Sequence, residues 1–350
     1  FNNYPILNKR YLVLVLIGKG GFSEVHKAFD LIEQRYVACK IHQLNNDWKE
    51  ERKANYIRHA VREYEIHKKL DHPRIVKLYD VFEIDTNAFC TVLEYVDGPD
   101  LDFFLKQNRI ISERESRAII SQLINALKYL NELPNPVIHY DLKPANILLE
   151  SNFTNSCTVS IGLDSSHIIS PVDIKITDFG LSKIVEMQDC ESSPGAIELT
   201  SQGAGTYWYL PPETFITGSR PPKISSKVDV WSVGIIFYQI LYGVKPFAHD
   251  MSQTAILEQQ AILNQAKLTL RFPNKPVISA EAKNFIKKCL VYDDSKRPDV
   301  ISLANDEYLK PSTYKNKQIP EFLGSNTAGS QVSSSGVYND SQTSQDFGKD

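Results

Sequence analysis

The sequence is poor in cysteine and carries little net charge, and each shortage argues against a class of protein. Its 350 residues include only five cysteines, which are scattered and form no C-x-x-C pair. That pattern favours reduced thiols over a disulfide framework or a zinc site. The formal net charge of −3 gives no reason to expect nucleic acid or an anionic membrane as a partner.

Long apolar runs are also missing. The most apolar segment, residues 228–242, is interrupted by Asp229, Ser232 and Gln239. It falls short of the run of about 18 apolar residues that a membrane span needs, so we interpret it as a helix buried inside the protein. The scattered thiols favour an intracellular protein. The chain opens with neither a signal peptide nor a Met, and we expect it to be a piece of a longer protein.

The remaining patterns divide most of the chain into two parts. The first alternates short apolar strands, such as 11–17 and 36–42, with one charged helix over 47–70. The second contains apolar or amphipathic helices, among them 119–130, 228–242, 280–291 and 300–305. A strand-rich part followed by a helix-rich part predicts an α+β fold with two lobes, in which a small antiparallel β-sheet with one main helix precedes a larger helical lobe.

Two further segments have the composition of irregular chain. Residues 311–350 contain eight serines and few aliphatic side chains, and such a segment cannot bury enough apolar surface to offset its ordering entropy. We predict a disordered, serine-rich tail over 310–350. Residues 151–172 resemble a loop inserted between two strands.

A glycine-rich turn lies between the first two strands, where residues 18–25 read Gly-Lys-Gly-Gly-Phe-Ser-Glu-Val. Glycine allows a backbone to lie close over phosphates and to donate its N–H groups. Alone the signal is weak, and a simple hairpin is the commoner explanation. A dinucleotide-binding motif is excluded because a strand, rather than a helix, follows.

Lys40 and Glu63 are charged residues in apolar surroundings. Lys40 lies in an apolar strand, and Glu63 shares a helix face with Ile66 and Leu70. A surface lysine is the simpler interpretation of Lys40. However, a carboxylate that faces a core needs a partner, so we predict that the two residues pair.

Polar residues also cluster next to two short apolar strands. His-Tyr-Asp-Leu-Lys-Pro-Ala-Asn, residues 139–146, precedes one strand, and Asp178-Phe179-Gly180 follows another. Two carboxylates and an amide at strand ends suit Mg²⁺, which prefers oxygen ligands and shares them with phosphates. Either motif alone could be a capped turn, but together with the upstream turn and Lys40 they form one ordered set.

In this order the motifs are similar to those of the eukaryotic protein kinases, from about residue 11 to residue 309. The resemblance implies an N-terminal extension over 1–10, an N-lobe over 11–95 and a C-lobe over 96–309. Lys143, two residues after Asp141, and Gly205-Thr206 are the pattern of serine/threonine kinases. The implied activity is transfer of the ATP γ-phosphate to protein hydroxyls with Mg²⁺.

The same resemblance assigns roles to individual residues. Asp141 would accept the proton of the substrate hydroxyl and Lys143 would steady the γ-phosphate. Lys40, paired with Glu63, would hold the α- and β-phosphates, while Asn146 and Asp178 would hold Mg²⁺. The implied nucleotide contacts, with Leu93 as gatekeeper and 94–96 as hinge, are Ile17, Gly18, Lys19, Gly20, Gly21, Phe22, Ser23, Glu24, Val25, Ala38, Lys40, Leu93, Glu94, Val96 and Leu148.

Outside the nucleotide site, the resemblance implies a pair between Glu213 and Arg297 and a brace from Asp229 to the catalytic loop. Two positions depart from the family pattern: Ser23 replaces the third glycine, and Tyr140 replaces the arginine that clasps an activation-loop phosphate in many kinases. Serines and threonines between 178 and 213, Thr206 among them, are candidate phosphorylation sites.

Within the kinases, the chain most resembles the Tousled-like group. The match rests on LDHPRIVKLYD (70–80), FCTVLEY (89–95), ITDFGLSKI (176–184) and LTSQGAGTYWYLPPE (199–213). It implies a nuclear enzyme that acts on histone chaperones in chromatin assembly and dimerises through an N-terminal coiled coil outside this chain. The alternative is a pseudokinase that binds partners without phosphoryl transfer. That alternative predicts loss of Lys40, Asp141, Asn146 or Asp178, and all four are present.

Overall fold

The computed structural model describes residues 5–20, 23–45, 47–150, 173–185, 197–199, 204–218 and 221–310, which belong to one compact unit ending at Lys310. The predicted loop over 151–172 and the predicted tail beyond Lys310 lie outside the described residues, as do Gly21 and Phe22.

The N-terminal part is a six-stranded antiparallel sheet in the order β1-β2-β3-β4-β6-β5. Alternating burial along the strands places Tyr11, Val37, Cys39, Cys90 and Val92 in a small apolar cluster on one face. The strands are β1 (Ile6–Leu7), β2 (Tyr11–Lys19), β3 (Ser23–Asp30), β4 (Arg35–Gln43), β5 (Leu78–Asp85) and β6 (Ala88–Glu94).

One long helix, α1 (Glu50–His67), accompanies this sheet. Acidic Glu50 and Glu51 occupy its first turn and His67 its last, as the helix dipole favours. Among its described side chains only Ile66 and His67 are buried. The helix predicted over 47–70 is therefore present, and it is attached to the protein mainly at its C-terminal end.

The C-terminal part is helical and contains the largest apolar cluster. In α3 the predicted stripe of Ile119, Ile120, Leu123, Leu127 and Leu130 is buried throughout. The helices are α2 (Leu101–Asn108), α3 (Glu113–Asn131), α4 (Lys227–Tyr242), α5 (Gln253–Glu258), α6 (Ala261–Gln265), α7 (Ala280–Cys289) and α8 (Val300–Ala304).

Helix α4 is the segment interpreted from sequence as a buried helix, and the structure confirms it. Every residue from Val228 to Tyr242 is buried. A side chain at Gly234 would come within 2.6 Å of the Cβ of Cys289, so glycine allows α7 to pack closely on α4. Within the described part of the chain, no helix is long and apolar enough to cross a membrane.

Short strand pairs position the loops between these helices. They join β7 (Val137–Ile138) with β10 (Lys183–Ile184), β8 (Ile147–Leu149) with β9 (Ile174–Ile176), and β11 (Ile197–Glu198) with β12 (Lys223–Ile224). An antiparallel sheet followed by a helical part confirms the predicted α+β fold class.

Candidate active site

The β8–β9 pair brings the two polar motifs together. Ile147 pairs with Ile176, and the Thr177 N–H donates to the Asn146 carbonyl at 3.0 Å. Asn146 immediately precedes β8, and Asp178 follows β9 by two residues. Two segments more than 30 residues apart in sequence thus present an amide and a carboxylate at the same edge.

Lys40 lies between two carboxylates. Its Nζ is 3.3 Å from Glu63 Oε1 and 3.5 Å from Asp178 Oδ1, so the pair predicted from the helix face is present, with Asp178 as a third member. Burial would lower the pKa of Lys40, but the charges of Asp178 and Glu63 outweigh it and raise this pKa. Burial would likewise raise the pKa of Asp178, and the Lys40 ammonium outweighs it and keeps that pKa low. Lys40 is therefore held protonated and Asp178 ionised.

A second polar group forms around Asp141, which is 8% exposed. Lys143 Nζ donates to Asp141 Oδ2 at 2.6 Å, and Asn146 Nδ2 donates to the Asp141 carbonyl at 2.9 Å. The Thr206 hydroxyl donates to Asp141 Oδ1 at 2.9 Å and accepts from Lys143 at 3.0 Å. Sequence reasoning singled out Thr206 for the family pattern and as a phosphorylation candidate, but it missed this bridge.

The backbone that carries Asp141 is held by a buried carboxylate from α4. The Asp229 oxygens accept the N–H groups of His139 and Tyr140 at 2.8 and 2.9 Å. Tyr140 has a φ of 71°, a left-handed conformation that a non-glycine residue rarely adopts without such support. Burial raises the pKa of Asp229, which means that the ionised form of this carboxylate is costly to bury.

Phe179 connects this loop to α1. Its ring centroid lies 4.8 Å from that of His67 and 4.9 Å from that of His139, and the side chain is 1% exposed. His67 was not selected from the sequence. Its only signal was an apolar neighbourhood at the end of α1, which does not reveal the element that covers it.

An apolar cleft lies between the sheet and β8. Ala38, Leu93 and Val76 are buried there, with Val25, Leu78, Val96 and Leu148 packed against them. Five of these residues were predicted nucleotide contacts: Val25, Ala38, Leu93, Val96 and Leu148. Ile17, also predicted, is 48% exposed and lies outside this cluster.

The Glu94 side chain is engaged outside the cleft. It pairs with Lys175 at 3.1 Å and accepts the Lys77 N–H at 3.1 Å. The Glu94 N–H also donates to the Lys77 carbonyl at 2.8 Å, so the hinge role implied by the resemblance would use the Glu94 carbonyl and stays a prediction.

The glycine-rich turn is described on both sides of Gly21 and Phe22. The Gly20 N–H donates to the Ser23 carbonyl at 2.7 Å, which closes the hairpin. Lys19 pairs with Glu24 at 2.9 Å across it. Both side chains are largely exposed, and Gly18 lies next to the side chain of Val25.

A buried ion pair fastens the segment after Thr206 to the helical part. Arg297, 1% exposed, donates to both carboxylate oxygens of Glu213 at 2.7 and 3.0 Å. This pair was implied by the resemblance and is present. Bidentate geometry of this kind fixes direction as well as distance.

Comparison with known proteins agrees with this arrangement. Residues 11–309 match the protein kinase domain family. The chain belongs to the protein kinases. As a kinase domain it is expected to use ATP and a divalent metal ion, as the family does.

The kinase domain is similar to curated Tousled-like serine/threonine-protein kinases, which confirms the resemblance seen in its motifs. Tousled-like 2 of Mus musculus is 57% identical over 344 residues, 98% of this chain and 45% of the relative. Tousled-like 1 of Caenorhabditis elegans is 59% identical over 311 residues, 89% of this chain and 30% of the relative. TOUSLED of Arabidopsis thaliana is 53% identical over 310 residues, 88% of this chain and 41% of the relative. The chain thus spans less than half the length of these relatives.

The donor set of the kinase domain suits a hard cation. Asp178 offers a carboxylate. Asn146 Nδ2 donates to the Asp141 carbonyl, which leaves the amide oxygen of Asn146 as the second candidate ligand. The described residues contain no group of three or more His, Cys, Asp or Glu side chains that could form a complete metal site. Few protein oxygens, completed by phosphates and water, are what Mg²⁺ accepts at phosphoryl-transfer sites.

Proposed function

We propose that residues 11–309 transfer the γ-phosphate of ATP to serine or threonine hydroxyls of protein substrates, with Mg²⁺ as the metal ion. The observation that carries this proposal is the meeting of two charged groups beside the β8–β9 pair. Asp141 with Lys143 forms one, and Lys40 with Glu63 and Asp178 forms the other. The first group suits a hydroxyl and the second suits phosphates.

Asp141 serves as the proton acceptor. Its side-chain oxygens accept hydrogen bonds from Lys143 and Thr206, the behaviour of an ionised carboxylate. As the substrate oxygen bonds to the γ-phosphorus, the bond from that phosphorus to the β–γ bridging oxygen breaks and ADP leaves. The hydroxyl proton passes to Asp141. Acid–base assistance of this kind typically contributes about 10²- to 10⁴-fold to the rate.

The remaining charged residues position the phosphates, since phosphoryl transfer depends mainly on positioning and charge neutralisation. The ammonium of Lys40 holds the α- and β-phosphates, and that of Lys143 holds the γ-phosphate. Asn146 and Asp178 hold Mg²⁺, which, when bound, neutralises phosphate charge. Glu63 keeps Lys40 in place and is a positioning residue.

The apolar cleft receives the adenine ring. Ala38 and Leu148 are two of its walls, and the backbone of residues 94–96 offers N–H and C=O groups at its edge. The glycine-rich turn covers the phosphates with backbone N–H groups. Leu93, 9% exposed, limits the depth of the cleft as its gatekeeper.

The test compares the wild-type domain with Asp141→Asn in Mg-ATP phosphate transfer to a general protein substrate, followed by identification of the modified residue. We expect transfer to serine or threonine, and a loss of about 10²-fold or more in the variant. Asp294→Asn, at an exposed position outside the site, is the matched control. If neither the wild type nor the control transfers phosphate although ATP binding is measured directly, the domain is a pseudokinase and the proposal fails.

We further propose the cellular role of the Tousled-like group: a nuclear enzyme that phosphorylates histone chaperones during chromatin assembly in the cell cycle. The parent protein would dimerise through a coiled coil N-terminal to this chain. The support is the sequence identity of 57% to a tousled-like 2 kinase and of 59% to a tousled-like 1 kinase. Purified histone chaperones phosphorylated no faster than unrelated proteins of matched charge would contradict the substrate assignment.

A further inference from the structure

The turn that follows Thr206 is a rigid surface next to the reacting carboxylate. Thr206 contacts Asp141 at 2.9 Å, and the residues after it are fixed by the helical part. The Tyr207 N–H donates to Gln253 Oε1 at 3.0 Å, and Trp208 Nε1 donates to the Ala248 carbonyl at 2.8 Å. A peptide whose hydroxyl reaches Asp141 must therefore pass close to Trp208.

The ammonium group of Lys245 lies over the ring of Trp208. Lys245 Nζ lies 5.2 Å from the Trp208 ring centroid, and both side chains are half-buried. Burial lowers the pKa of Lys245, and the charges of Asp102 and Asp250 oppose this shift without cancelling it. Over the described ranges of the chain, no carboxylate lies within ion-pair distance of this ammonium.

The two carboxylates whose charges act on Lys245, Asp102 and Asp250, also contact other basic side chains. Asp102 pairs with Lys106 at 2.7 Å, and Asp250 lies 3.7 Å from His249. Lys245 is thus a half-buried cation over an aromatic ring, and the two carboxylates that act on its charge have contacts of their own.

We propose that Lys245 and Trp208 form an anion-accepting subsite that selects substrates with an acidic or phosphorylated residue near the acceptor serine or threonine. The proposal rests on the kinase activity proposed above. A carboxylate or phosphate would pair with the ammonium, while the carbon chain of the peptide packs on the indole.

The spacing limits where this residue lies in the substrate. Thr206 and Trp208 are two residues apart, which is at most about 7 Å along an extended chain. The Trp208 side chain and the 5.2 Å from its ring to the Lys245 ammonium add to that span. The anionic residue therefore lies a few residues from the acceptor.

Catalytic-loop residues offer no competing preference. Between His139 and Asn146 the only carboxylate is Asp141, which the reaction uses, and Ala145 contributes no charge. Lys143 is already paired with Asp141 at 2.6 Å, which leaves Lys245 as the cation to contact an anionic residue of the substrate.

The experiment uses the domain and a peptide series identical except for a pair of residues within four positions of the acceptor: Gln, Glu, phosphoserine or Lys. We expect kcat/KM to be about threefold to tenfold higher for the Glu peptide than for the Gln peptide, through KM, as a half-buried ion pair would give. Lys245→Met removes the preference and Lys245→Glu transfers it to the Lys peptide. Lys267→Met, which removes another lysine lying over an aromatic ring, leaves the preference unchanged.

Binding measured without catalysis separates this proposal from the kinase assignment. Peptides with Ala at the acceptor position, followed by fluorescence anisotropy, give the same ranking even if no phosphate is transferred. Tighter binding of the phosphoserine peptide alone, lost in Lys245→Met, assigns the subsite to previously phosphorylated substrates. Equally tight binding of the Glu and phosphoserine peptides assigns it to acidic sequences. Equal binding of the Gln, Glu and phosphoserine peptides, or a preference that survives Lys245→Met, overturns the proposal.

Discussion

Helices α1 and α4 are similar in length but are held in different ways. In α4 all residues from Val228 to Tyr242 are buried, whereas the described side chains of α1 include only two buried residues, Ile66 and His67. The position of α4 is set by packing on every side. The position of α1 is set largely by one end and by the Lys40–Glu63 contact. One helix is held by packing throughout, and the other is held partly by polar contacts.

The largest effect is expected from Asp229→Ala on α4. The change leaves two buried N–H groups, those of His139 and Tyr140, without an acceptor. We expect the free energy of unfolding to fall by about 2–5 kcal/mol, together with loss of phosphoryl transfer. Urea denaturation measures the first and an ATP assay the second. Ser226→Ala, at the start of the same helix where the side chain makes no capping bond, is the control. Equal denaturation midpoints for Asp229→Ala and wild type would contradict the bracing role of Asp229.

Glu63→Gln on α1 tests the other half of the comparison. It removes one of the two carboxylates beside Lys40 but also removes a charge that is costly to bury. We expect phosphoryl transfer to fall about 10- to 100-fold, while the free energy of unfolding stays within about 1 kcal/mol of wild type or rises. Glu65→Gln, on the exposed face of the same helix, is the control. A variant that loses stability in proportion to activity would mean that the ion pair holds the fold rather than the site.

The sheet next to α1 supplies a pH test. Burial lowers the pKa of His42 from its ordinary 6.5 to about 3, while its ring accepts or donates at Tyr56 and stacks on Phe89. The folded protein keeps His42 neutral, whereas the unfolded chain binds a proton below pH 6.5. Stability is therefore lost as the pH falls through the window from 6.5 towards 3.

Between pH 7 and pH 5.5 the protonation of His42 in the unfolded chain should alone lower the free energy of unfolding by about 1 kcal/mol. His42→Gln removes this contribution, so urea denaturation at the two pH values should show a smaller loss in the free energy of unfolding for the variant. His67, whose pKa burial also lowers, leaves a residual dependence in the variant. An unchanged pH dependence in His42→Gln would show that His42 does not make this contribution.

The smallest effect is expected at the outer surface of α1. Val61 is 54% exposed, so Val61→Ala should change the free energy of unfolding by less than about 0.5 kcal/mol. The matched change on α4, Val230→Ala, empties fully buried volume and should cost about 1.5–3 kcal/mol. Similar losses at the two positions would remove the distinction between the helices.

Sequence patterns predicted the local half of this arrangement. Helical periodicity indicated that Glu63 faces the protein, and strand ends indicated where Asn146 and Asp178 lie. The bridge made by Thr206, the ring contact of His67 with Phe179, and the cation over Trp208 were not predicted. Each joins elements that are distant in sequence, and a pattern shows which face is covered without showing what covers it.

The brace from Asp229 also has a consequence for how the domain is made. The carboxylate lies 90 residues after His139, whose N–H group it accepts. During synthesis the N-terminal sheet can pair soon after it leaves the ribosome, because all its strands lie within the first 94 residues and most pair with a neighbour in sequence. The loop that carries Asp141 must wait until α4 has emerged before its strained backbone at Tyr140 is supported. A nascent chain that stops before residue 229 therefore contains the whole sheet, but the loop that carries Asp141 lacks its brace. We expect such a truncated product to lose the proposed activity even where its sheet is folded.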